Sequence, residues 1–201
     1  MEIKISGLIY GMVRSMLWVC LVLFLAGCKD SSSLDKASPQ TKTSQIGSEK
    51  TTVWPNAAYQ VGGIPVYEEF AQLEPIFRFA NDTTYVVNFW ATWCKPCLGE
   101  LPYFEKLNAQ RKNEKVKVIL VSLDFPKQVE SNLVPFVQKQ QLRSKVVVLL
   151  DGKYNDWIDK VSRDWSGAIP ATYIYKKGQN RLVGEPFENL EELNEVVEPF
   201  L

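Results

Sequence analysis

Val87-Asn88-Phe89-Trp90-Ala91-Thr92-Trp93-Cys94-Lys95-Pro96-Cys97 is the stretch on which the reading of this chain turns. Its first half belongs to a β-branched and aromatic run, residues 84–90, that predicts a strand. A Cys-x-x-Cys follows directly, and then Leu98, Leu101, Phe104 and Leu107 mark the apolar face of a helix. A cysteine pair at a strand-to-helix junction has a chemical use. The first sulfur meets the unpaired N–H groups and positive end of the helix, which favour its thiolate, and the second lies one turn along the same face. Cys94 is then the thiol that attacks a disulfide, and Cys97 the one that resolves the mixed disulfide. Pro96 fits the first helical turn, where its missing N–H costs nothing, and Lys95 adds a positive charge that favours the thiolate. A bare Cys-x-x-Cys is also half a zinc knuckle or a structural disulfide; the preceding strand, the flanking tryptophans and the missing metal ligands weigh against both.

Working outward, Ile64, Val66, Tyr67, Phe70, Leu73, Ile76 and Phe77 recur at helical spacing and predict a helix to about Ala80. Pro102 sits inside the helix after the cysteines and predicts a kink. Residues 115–125 are apolar at their centre, as in a strand covered on both faces. A helix over 129–142 with Pro135 as a blemish, a buried strand over 146–150 and a short helix from Tyr154 to Val161 come next. Strands over 171–176 and 181–184 flank Gly178-Gln179-Asn180, the expected hairpin turn. A last helix carries Leu190, Leu193, Val196, Val197 and Phe200. Alternating elements that close on a hairpin and a helix imply an α/β domain with a mixed sheet and helices on both faces.

The N-terminal end carries Lys4, Arg14 and an apolar run from Met16 to Ala26. That run is about eleven residues, short of the roughly twenty that span a bilayer, so it reads as a secretory signal. It ends in Leu25-Ala26-Gly27-Cys28, which resembles the bacterial lipobox, where cleavage precedes a cysteine that becomes lipid-modified. An uncleaved membrane anchor is the other reading, and both leave the body of the protein tethered outside the cytoplasm. Residues 1–27 are therefore assigned to a lipoprotein signal peptide, 28–55 to a lipidated N-terminus and polar tether, and 56–201 to the folded domain. Of the four cysteines, Cys20 leaves with the signal and Cys28 takes the lipid, so Cys94 and Cys97 remain as the thiols of the mature chain.

Charge and composition narrow the chemistry. Lys and Arg together number 23 and Asp and Glu 23, so the balanced chain gives no basic surface for nucleic acid. There are no histidines, which removes Ser-His and Cys-His catalysis and histidine-ligated metals, copper delivery included. No metal site and no cofactor are expected.

The segment Val87–Cys97 resembles the active-site segment of the thioredoxin superfamily and, more narrowly, that of the membrane-tethered TlpA/ResA-like thiol–disulfide oxidoreductases. The resemblance in element order runs from about Ile64 to Leu201 and implies a thioredoxin-like fold, with a strand-helix insert between Asp124 and Trp165 ahead of a cis-proline loop. It implies a reversible Cys94–Cys97 disulfide. Asn88 stands where thioredoxins carry a buried acid, Pro102 matches their kink proline, and Glu100 matches the acid of the ResA-like branch. In that role Glu100 transfers a proton to or from the cysteine pair; as a plain helix-surface glutamate it would do nothing. Pro170 matches the family's cis-proline, packed against the disulfide, whereas alone Ile169-Pro170 would be an ordinary trans turn. The surface receiving substrate would comprise Trp93, Lys95, Pro96, Ile169 and Pro170.

The function so implied is a protein-disulfide reductase, fed by a membrane thiol donor, acting on disulfide-bearing proteins outside the cytoplasm, with cytochrome c maturation as one family task. The protein would be a monomer attached to a bacterial membrane through its lipid. A disulfide oxidase or isomerase is the enzymatic alternative, and a lipoprotein binding module on the same scaffold is the non-enzymatic one. A peroxidatic Pro-x-x-x-Thr-x-x-Cys pattern is missing.

Overall fold

The computed structural model describes residues 53–201; the signal and tether assignments over residues 1–52, with Cys20 and Cys28, lie outside the described residues. Seven strands form one sheet: β1 (Tyr59–Val61), β2 (Ile64–Tyr67), β3 (Thr84–Trp90), β4 (Val116–Ser122), β5 (Lys145–Leu149), β6 (Ala171–Lys176) and β7 (Gln179–Val183). Their spatial order is β1-β2-β5-β4-β3-β6-β7. The central strands β2, β5, β4 and β3 are parallel, and β1, β6 and β7 are antiparallel to their neighbours. The helices are α1 (Phe70–Leu73), α2 (Lys95–Gln110), α3 (Pro126–Gln128), α4 (Val134–Gln140), α5 (Tyr154–Val161) and α6 (Leu190–Val197). None of them is long and apolar enough to cross a membrane.

Every residue of β3 is buried, because helices cover both faces of the sheet. The pleat sends Val86 and Trp90 into one core with Leu101, Phe104 and Leu107 of α2 and Leu193 and Val197 of α6. It sends Val87 and Phe89 into the other, with Phe70, Phe77, Trp157 and Trp165. There Phe70 and Trp157 stack with ring centres 5.0 Å apart, and Phe89 and Trp165 lie 4.3 Å apart. Each such side chain taken from water contributes roughly 1.5–3 kcal/mol. Asn88 falls on the α2 side by the same alternation, and that decides its partner below.

Three expectations change. The helix expected from Ile64 is instead the strand β2, paired with β1 across Gly62 and Gly63. Only from Phe70 does the chain turn helical, through α1 and a 3₁₀ segment, Glu74–Phe77. The helix expected over 129–142 starts at Pro126 and passes through a wide π-helical turn, Val129–Leu133, before α4. The Val134 N–H reaches back to the Val129 carbonyl, and Pro135, which has no N–H to offer, follows immediately. The hairpin turn falls at Lys177-Gly178, both with positive φ, because Lys176 pairs with Gln179. The inserted β5 and α5 precede the Ile169-Pro170 loop as expected.

Candidate active site

Cys94 caps the N-terminus of α2, its Sγ accepting the Cys97 N–H at 3.3 Å, and the two sulfurs form a disulfide with Cα atoms 5.3 Å apart. Pro96 occupies the first turn, where no intrahelical N–H is needed. Cys97 is fully buried and Cys94 only 6% exposed, so Cys94 is the member of the pair with any solvent-accessible surface. Lys95 and Pro96 beside it are exposed. Pro102 lies within α2 on its exposed side.

The Ile169–Pro170 peptide bond is cis, and the Ile169 carbonyl oxygen lies 3.8 Å from Cys94 Sγ. The loop before β6 is thus seated on the disulfide. Next to the pair, half-exposed Trp93 stacks on exposed Phe125, with ring centres 5.7 Å apart and planes 14° from parallel. Trp93, Lys95, Pro96, Ile169 and Pro170 therefore all lie in or beside the disulfide's two flanking segments.

Glu100 is no surface residue. It sits one turn beyond Cys97 on the buried face of α2, 1% exposed. Its Oε1 accepts the Asn88 side-chain amide at 2.8 Å, and its Oε2 accepts the Phe187 N–H at 2.9 Å. Asn88 also donates to Thr172 Oγ1 at 3.1 Å, which links the acid to the strand that follows the cis-proline. Burial pushes the Glu100 pKa up to about 7, outweighing the two donors that favour its charged form. A carboxyl that titrates near neutrality beside a dithiol can give or take a proton at working pH.

Sequence reasoning missed what holds the loop ahead of Cys94. Asp124, 1% exposed, accepts the Thr92 N–H at 3.1 and 3.2 Å and also binds the Thr92 hydroxyl. Ser122 donates to it at 2.8 Å. A side-chain bond to backbone across 32 positions leaves no periodic trace, and only the placement of Asp124 just past a buried strand hinted at it. Phe125 was likewise unmarked. Among the described residues no group of three or more Cys, Asp or Glu side chains is placed to hold a metal ion.

Residues 76–180 match the model of the AhpC/TSA family. A thiol-disulfide oxidoreductase, ResA, from Oceanobacillus iheyensis is 35% identical over 91 residues, covering 45% of this chain and 43% of that protein. The thioredoxin-like protein YneN of Bacillus subtilis is 33% identical over 90 residues, covering 44% of this chain and 48% of that protein. The chain thus spans about half the length of the curated relatives it matches. Among solved structures, a thioredoxin-related protein from Neisseria meningitidis serogroup B aligns with a TM-score of 0.52 at 20% identity, over 61% of this chain and 88% of that one. That likeness is one of fold, a thioredoxin-like α/β architecture.

Proposed function

The chain belongs to the AhpC/TSA family, and on that premise we propose that it is a thiol–disulfide oxidoreductase working through Cys94 and Cys97. The observation that carries this reading is the bonded cysteine pair at the start of α2, seated against the cis Ile169–Pro170 loop with Glu100 buried behind it. In the reducing direction the Cys94 thiolate attacks a substrate disulfide, forming a mixed disulfide and releasing one substrate sulfur. Cys97 then attacks Cys94 Sγ, closing the 94–97 bond and releasing the second. The two cysteine protons end on the two substrate thiols, and Glu100 carries the one that leaves buried Cys97.

The finer reading is a reductase outside the cytoplasm, lipid-anchored through Cys28 to a bacterial membrane, monomeric, and fed by a membrane thiol donor. Protein disulfides are its substrates, with those of cytochrome c maturation as one candidate set. The lipobox-like Leu25–Cys28 and the polar stretch after it support the anchor, and the name of the ResA relative, a thiol-disulfide oxidoreductase, supports disulfides as the substrate class. Loss of membrane association in a Cys28→Ser chain tests the anchor.

The decisive assay is reduction of insulin by dithiothreitol. Cys94→Ser is expected to remove the acceleration given by the unaltered protein, and equal activity in both would end the enzyme reading in favour of a binding module. Direction is read from the reduction potential: about −150 mV or higher, between the isomerase and DsbA values, would make the protein an oxidant instead.

A further inference from the structure

We propose that Asp124 is a positioning residue for the cysteine pair, anchoring the loop through Thr92 and holding a negative charge close enough to Cys94 to restrain its thiolate. The proposal rests on the exchange chemistry assigned to Cys94 above, and its observations are separate from those that assigned it.

Among the described residues, the Thr92 N–H and hydroxyl and the Ser122 hydroxyl are the groups hydrogen-bonded to the Asp124 carboxyl, and each can donate to it. The Thr92 N–H can only donate, and it does so to both oxygens. Ser122 Oγ already accepts the Asp124 N–H at 3.1 Å, so its own hydrogen is free for the carboxylate, 2.8 Å away. The Thr92 hydroxyl completes the set. Such a ring of donors suits a carboxylate, and a neutral amide in its place would face several of them with a single acceptor. Among the described residues no lysine or arginine forms an ion pair with Asp124, so its charge is held by dipoles and not cancelled. A buried, uncancelled charge acts over a longer range than an exposed one.

Thr92 is two residues before Cys94, so their Cα atoms lie within roughly 7 Å whatever the loop's path. The helix end favours the Cys94 thiolate, and a carboxylate held on the backbone N–H two residues before it opposes it. On α2 itself Lys95 adjoins Cys94 and Glu100 lies one turn beyond Cys97, while residues 167–172 of the facing loop bring no ionisable side chain. Asp124 also fixes the neighbours of the Trp93–Phe125 stack, since Thr92 precedes Trp93 and Asp124 precedes Phe125.

The test compares the unaltered protein with Asp124→Asn in two measurements. One is the Cys94 thiol pKa, from the pH dependence of iodoacetamide alkylation; the other is the dithiol–disulfide equilibrium against glutathione. Without the charge, the thiol pKa is expected about one unit lower, with up to tenfold more thiolate at pH below it, and the equilibrium moves several-fold toward the dithiol. A lower melting temperature with both readouts unchanged makes Asp124 a purely structural anchor and overturns the proposal. If Asp124→Asn does not fold, Thr92→Val reads the link from the other side. It strips one donor from the carboxylate, leaves the charge less satisfied and raises the thiol pKa; an unchanged value there also overturns the proposal. A cysteine pair with no reversible couple in the unaltered protein would instead bring down the functional reading, and this inference with it.

Discussion

At Glu100 two effects oppose each other. Burial disfavours its carboxylate, whereas the Phe187 N–H and the Asn88 amide favour it, and burial wins by enough to bring the pKa from 4.5 to about 7. The consequence for stability has a definite sign. Between those values the folded protein keeps a proton that the unfolded chain has lost, so this group's contribution falls as pH rises through 4.5 to 7. The loss is complete above that window and amounts to about 3 kcal/mol at most. Glu100→Gln cannot titrate, so the difference between its urea midpoint and that of the unaltered protein is expected to change across the window and stay flat outside it. A difference independent of pH would refute the assignment. In disulfide exchange the same variant is expected to be about a hundredfold slower near pH 7, if the carboxyl is the proton carrier for Cys97.

Elements that pack by short, local rules are where sequence reading and structure part company. β1 and β2 have three and four residues, too few for alternation to be told from helical spacing: Ile64, Tyr67 and Phe70 recur at helical spacing, and only Ile64 and Val66 show the alternation of a strand. Gly62-Gly63 between them was the available signal for a hairpin. The structure shows what that pair does. Gly62 has φ +55, and a Cβ there would lie 2.5 Å from Val134 Cγ1 of α4, so the hairpin is pressed against the helix that follows the π-helical turn. Gly63 has φ +80 but open space around it. Gly62→Ala therefore combines a strained backbone with a clash and is expected to lower stability by about 2–3 kcal/mol; Gly63→Ala carries only the backbone cost of about 1 kcal/mol. Urea unfolding of the two variants side by side checks this, and equal losses would show that the contact with Val134 is immaterial.

Across the whole molecule, what could be read beforehand were the segments that are long or chemically marked: β3, α2 and the cysteine pair; the cis Ile169-Pro170 bond was implied only by the family resemblance. The sheet order could not be read, because β5 lies between β2 and β4 through pairings of distant residues that no local pattern encodes. The family resemblance pointed to Glu100 as an acid, but its burial could not be read, since it depends on Asn88 and on Phe187, 87 positions away. One consequence of that buried acid concerns heat. The chain has no histidine, so its side chains lack the group that ordinarily buffers a protein near neutrality. Proton traffic on opening the 94–97 bond near pH 7 then falls to the two thiols and Glu100, while the chain's terminal amine is common to both states. Calorimetric reduction in phosphate and in Tris, whose ionisation enthalpies differ widely, converts that traffic into a difference in measured heat. The difference is expected to change in Glu100→Gln, and the size of the change is the net fraction of a proton that the buried carboxyl gains or loses between the disulfide and the dithiol states.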